Sequence, residues 1–143
     1  MKKIPLIILI AITFCFSIQA QANAKRSALP ANLAQMKGEY PDKFLKKETV
    51  KSRLKVLLGK NYSAFLDSFE TQSQFEKKGN FLFSRGCLIH ACGHLESAIA
   101  IDLVNKTIHV GIFRENEKNK VFNENNLTTP DSITTWFKNL TKK

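Results

Sequence analysis

The chain has 143 residues, with 22 Lys and Arg against 12 Asp and Glu, a formal net charge of +10 and three cysteines. That length suits a single domain with a modest core. The basic residues form no run of five or more and no stripe interleaved with aromatics, which argues against a nucleic-acid-binding surface.

The first segment reads as an address rather than as fold. Lys2-Lys3 precede an apolar run, Ile4–Ile18, broken only by Thr13 and Ser17, and Ala22-Asn23-Ala24 follows as a small-x-small cleavage pattern. This is the layout of a secretory signal peptide over residues 1–24. The run is shorter than the roughly 20 apolar residues a bilayer span needs, so no stable membrane insertion is expected. Cleavage removes Lys2, Lys3 and Cys15. The mature chain, 25–143, keeps 20 basic and 12 acidic residues, a charge of +8, and the cysteines Cys87 and Cys92. A periplasmic or secreted location follows.

Residues 25–40, with Pro30 and Gly38, read as a lead-in, and Tyr40-Pro41-Asp42 as a turn or helix entry. Val50, Leu54, Leu57 and Leu58 lie on one helical face over Glu48–Leu58, with Gly59 placed to end the helix. Tyr62, Phe65, Leu66 and Phe69 predict a second helix after Asn61. Thr71–Asn80 is polar and reads as loop, with room for a short edge strand.

The period then changes. Phe81–Ser84 is a short apolar strand that leads into Gly86-Cys87. Ile99, Ile101 and Leu103 alternate with Ala98, Ala100 and Asp102, and after the turn Val104–Lys106, Ile108, Val110 and Ile112 alternate with His109, Gly111 and Phe113. Two such runs joined by a short polar turn predict a β-hairpin. Val121-Phe122 is a further strand candidate after a charged loop. Thr129 as N-cap, Pro130 as first residue and Asp131 open a last helix, whose apolar face is Ile133, Trp136, Phe137 and Leu140. The sum is an α+β domain: an antiparallel β-sheet with a central hairpin, two helices before it and one C-terminal helix packed on it.

Chemistry concentrates in residues 85–94, Arg-Gly-Cys-Leu-Ile-His-Ala-Cys-Gly-His. Haem attachment needs Cys-x-x-Cys-His, a spacing absent here. Cys87, His90, Cys92 and His94 could ligate zinc, but structural zinc usually joins ligand pairs from separate segments. A nucleophilic thiol beside His90 or His94 would have a second cysteine close enough to trap it. An even cysteine count in an exported chain favours a Cys87–Cys92 disulfide holding Leu88, Ile89, His90 and Ala91 as a stiff projecting loop. No cofactor or metal is implied on that reading, and the chain is not an enzyme. His94 and His109 read as surface or half-buried residues.

Gly86-Cys87-x-x-His90-x-Cys92-Gly93, followed by an apolar strand, a hairpin return and a Trp-bearing helix, resembles the signature loop of the inhibitor of vertebrate lysozyme (Ivy) family, whose members carry Cys-Lys-Pro-His-Asp-Cys. The resemblance implies a loop that enters the cleft of a c-type lysozyme, with His90 in the site and Cys87 and Cys92 bracing it. A retaining glycosidase sets two carboxyl groups about 5–5.5 Å apart, and an imidazolium donates from both nitrogens. Here Leu88-Ile89 replaces the family's Lys-Pro and Ala91 its Asp, so the tip is more apolar. The expected partner is a lysozyme or another glycan-cleaving enzyme; a homodimer is compatible with the sequence. The competing reading is an envelope accessory protein whose basic surface contacts anionic wall or lipid groups, with no enzyme target.

Overall fold

The computed structural model describes residues 27–141; the signal peptide expected over residues 1–24 lies outside them. One helical turn, α1 (Asp42–Leu45), and two helices, α2 (Glu48–Leu58) and α3 (Tyr62–Asp67), precede the sheet. Its strands are β1 (Thr71–Gln72), β2 (Glu76–Lys78), β3 (Phe81–Cys87), β4 (Leu95–Asp102), β5 (Ile108–Arg114) and β6 (Lys120–Asn123), and helix α4 (Asp131–Leu140) closes the chain. Pairing is antiparallel throughout, in the order β1-β3-β4-β5-β6, with β2 also on β3. The α+β architecture expected from the sequence is the one observed. No helix among the described residues is long and apolar enough to cross a membrane.

Both faces of the sheet are covered, which makes three layers. On one face Leu82, Ile99, Ile101, Ile108 and Val110 pack with Val50, Leu54 and Phe65 of the N-terminal helices. On the other, Phe83, Ala98 and Ala100 pack with Ile133, Trp136 and Phe137 of α4. Small residues make the second contact close. Ala98 pairs with Gly111 across β4 and β5. A Cβ on Gly111 would lie 2.9 Å from both Ile133 Cγ2 and Phe137 Cζ. The helix therefore seats on bare backbone at that point.

The segments that look structureless in sequence also feed the core. Leu29, Leu33 and Phe75 are buried with the N-terminal helices. Gly38 N–H donates to the Phe75 carbonyl and Phe75 N–H to the Glu39 carbonyl, each at 2.8 Å, so the lead-in is tied to the β1–β2 connection. Within Thr71–Asn80 the expected loop resolves into the short strands β1 and β2 on either side of Phe75.

The helical layer is bolted to the sheet by a buried ion pair. Arg53 on α2 meets Glu124 with both forks of its guanidinium, Nε to Oε1 at 2.9 Å and Nη2 to Oε2. Arg53 also donates to the Lys106 carbonyl at 2.8 Å and the Ser27 carbonyl at 3.3 Å, and Glu124 Oε2 accepts Ile108 N–H at 2.8 Å.

Two local expectations shift. Helix α4 begins at Asp131 with Pro130 as its cap residue, because Thr129 Oγ1 accepts from Asn123 Nδ2 at 2.9 Å instead of capping the helix. His109 is wholly buried rather than at or near the surface. Since Asn123 spends its amide on Thr129, its carbonyl oxygen faces His109 Nδ1 at 2.9 Å; that network puts the ring proton on Nδ1 and leaves Nε2 to the Thr107 hydroxyl at 3.1 Å.

Two stability outcomes follow from this packing. Gly111→Ala should destabilise by about 1–3 kcal/mol, because α4 must move off the sheet; chemical denaturation should show a lower midpoint at unchanged slope. Arg53→Met should cost about 3–5 kcal/mol by the same assay, because Glu124 is left charged and buried without its partner.

Candidate functional site: the Cys87–Cys92 loop

The site grows out of the β3–β4 register. Phe81 pairs with Asp102 and the pairing runs without a break to Cys87 opposite Glu96. At that end β1 adds a third strand, with Thr71 opposite Cys87 and Gln72 opposite Gly86. The chain leaving α3 crosses directly over Gly86: a Cβ there would lie 2.6 Å from the Ser68 carbonyl oxygen and 2.8 Å from that of Thr71. Only glycine admits so close a crossing. The Ser68 and Ser97 hydroxyls hydrogen-bond at 2.6 Å beside it. The base of the loop is thus held between two strands and under a third segment.

Cys87 and Cys92 form a disulfide with their Cα atoms 5.0 Å apart. Their sulfurs are therefore not thiolates for metal or for nucleophilic attack. Inside the ring, Ala91 N–H donates to the Leu88 carbonyl at 3.0 Å, closing a turn whose third residue is His90. His90 takes the left-handed φ of +60°. Histidine is one of the few side chains enriched there. The chain then turns back: His94 and Leu95 N–H groups both donate to the Ala91 carbonyl, and Leu88 N–H to the Leu95 carbonyl at 3.2 Å.

Two carboxylates from outside the ring fix its backbone. Glu70, between α3 and β1, accepts Ile89 N–H at 3.2 Å. Glu96, buried on β4, accepts Gly93 N–H at 2.9 Å. Neither was legible as a loop partner in the sequence, since each reaches the loop only through strand pairing. Gly93 has φ +94°, so the exit from the ring also needs glycine.

The four loop residues singled out from the sequence divide in two. His90 and Ile89 are exposed, Ile89 by 54 %, and form the projecting tip. Leu88 and Ala91 are half-buried and form its shoulders. His94 stands apart, exposed and paired through Nδ1 with Glu115 at the end of β5. Among the described residues no group of three or more His, Cys, Asp and Glu is placed to hold a metal ion. What the arrangement offers is a rigid apolar knob carrying one imidazole. Because the disulfide and these hydrogen bonds restrict the tip before any encounter, a partner would have less ordering to supply.

The bridge should matter more to the tip than to the fold. Closing so short a loop stabilises by about 2 kcal/mol in the chain-entropy model. Cys87→Ser with Cys92→Ser should leave the far-ultraviolet circular dichroism intact, and hydrogen exchange should show faster exchange at the Ile89, Ala91 and Gly93 amides while those of β4 and β5 stay protected.

The family model for the inhibitor of vertebrate lysozyme (Ivy) matches residues 49–143, from α2 to the end of the chain, and includes the whole loop and sheet. No curated protein and no solved structure matches. With the match covering well over half of its length, the chain belongs to the Ivy family.

Proposed function

We propose that this chain is an exported inhibitor of a lysozyme, and that it acts by inserting the Cys87–Cys92 loop into the cleft of the enzyme. The observation that carries the reading is the position of His90: an exposed imidazole at the tip of a stapled loop, in a chain of the Ivy family. In the cleft of a retaining glycosidase, imidazolium donates one hydrogen bond to each of two carboxylates. Such charge-assisted bonds are stronger than neutral ones and are strengthened by exclusion of water. Leu88 and Ile89 would meet the apolar walls of the cleft, where the family pattern has Lys-Pro. Export through the segment 1–24 would put the chain where lysozymes act.

Electrostatics separates this reading from the envelope-binding one. The mature charge of +8 repels a basic c-type lysozyme at long range, so affinity must come from short-range fit. Raising salt from low to physiological strength screens the repulsion and should speed association with a basic lysozyme. Attachment of a basic face to anionic wall or lipid would weaken over the same range.

The test is a cell-wall lysis assay against a panel of lysozymes, with and without reductant. His90→Ala should weaken inhibition at least tenfold, as expected for loss of charge-assisted bonds worth roughly 1.5–3 kcal/mol, and should leave the thermal midpoint within a few degrees. Equal potency of parent and variant against a susceptible lysozyme would remove His90 from the mechanism.

A further inference from the structure

His90 projects from a tight turn, residues 88–91, that closes through Ala91 N–H on the Leu88 carbonyl at 3.0 Å. The turn is exposed at its tip, and it holds His90 at a φ of +60°, a region that costs an L side chain some energy. Something must keep it in that one shape. The Leu88 carbonyl belongs to the same planar trans peptide unit as the Ile89 N–H, so the two groups point in opposite directions. A group that holds the N–H therefore aims the carbonyl. That group is the Glu70 carboxylate, whose Oε2 accepts Ile89 N–H at 3.2 Å. The Leu88–Ile89 peptide is thus pinned on both sides, by the turn on one and by Glu70 on the other.

Glu70 lies outside the disulfide ring and its side chain is exposed, yet its backbone is fixed. Thr71 pairs with Cys87, so Glu70 falls across from Leu88, one step past the last pair of the β1–β3 ladder. Phe69, just before it, is 5 % exposed and belongs to the core. The Phe69 N–H donates to the Leu66 carbonyl at 2.9 Å, and its carbonyl accepts from Gln72 Nε2 at 3.3 Å. Its Cα lies 3.0 Å from where a Cβ on Gly86 would stand, so the segment rests directly on β3. The bond to Ile89 therefore costs only the freedom of the Glu70 side chain.

We infer that Glu70 is a positioning residue for His90: it holds the turn that presents the imidazole and does not itself meet the enzyme. The inference rests on the proposed insertion of the loop and adds to it a residue from the α3–β1 connection. The carboxylate is already engaged inside the molecule, with a main-chain donor. That bond requires an acceptor and not a charge, so the side-chain carbonyl of glutamine can replace it.

The test compares the mature chain with Glu70→Ala and Glu70→Gln, each alone and combined with His90→Ala. Inhibition is measured in the lysis assay with a lysozyme that the parent inhibits. Amide nitrogen relaxation is measured on the same proteins with no enzyme present. Glu70→Ala should weaken inhibition about fivefold, and Glu70→Gln should stay within about twofold of the parent. In the His90→Ala background, Glu70→Ala should have no further effect, because both changes act on one group. In the free chain, Glu70→Ala should lower the order parameters of the Ile89, His90 and Ala91 amides and leave those of β4 and β5 as they are. Unchanged order parameters at the tip would overturn the assignment whether or not any lysozyme is inhibited; failure of the parent against every lysozyme would instead count against the inhibitory reading. Full potency of Glu70→Ala, or losses that add to those of His90→Ala, would also overturn it. So would a loss in Glu70→Gln as large as in Glu70→Ala, which would place the carboxylate against a cation of the enzyme.

Discussion

The Arg53–Glu124 pair is the junction through which the layers hold one another. One guanidinium reaches the Ser27 carbonyl in the lead-in, the Lys106 carbonyl in the β4–β5 turn and the carboxylate that follows β6. The same carboxylate holds the first amide of β5. Burying two charges is costly, and the cost is offset only where the remaining donors and acceptors are filled. Here they are filled by backbone groups of segments far apart in sequence. The pair therefore does more to specify which pieces meet than to add net stability, and it does so at the end of the sheet opposite the loop.

That separation divides the molecule by task. At the β4–β5 turn, charges and capping carboxylates order the connections: Asp102 accepts the N–H groups of Val104 and Asn105 and the Asn105 amide. Burial alone would raise the Asp102 pKa, but these bonds outweigh it and hold the carboxyl below its ordinary range. At the other end, close backbone crossing at Gly86, the disulfide and two carboxylates freeze the tip. Between them the sheet is covered on both faces, by the N-terminal helices on one and α4 on the other.

Much of this is readable from residue order. Period-2 alternation located β4 and β5, and the period-3.6 stripes located α2, α3 and α4, because each element buries a face of its own. The disulfide was readable from the cysteine count of residues 25–143. The core role of Leu29, Leu33 and Phe75 was not, since isolated apolar residues in irregular chain carry no period and are buried only by backbone pairing with distant segments. The covering of both faces of β4 was half visible: alternation put Ala98 and Ala100 on the face opposite Ile99 and Ile101, and only the approach of α4 to Gly111 shows that small size there is what makes room for Phe137. At the site, His90 and its ring stood out, whereas Glu70 and Glu96 did not, because a carboxylate accepting a backbone N–H leaves no motif.

The ring that carries His90 has one more consequence. Proteases bind their substrates as extended strands, with main-chain hydrogen bonds along the cleft. The segment from Cys87 to Cys92 cannot be drawn out in that way. Its ends are joined by the disulfide, His90 stands at a φ of +60°, and the Ile89, Ala91 and Gly93 amides are already bonded within the molecule. The most prominent part of the hairpin, and the one displaying Ile89 to solvent, is thereby a poor substrate for such enzymes. Durability and presentation come from the same covalent closure.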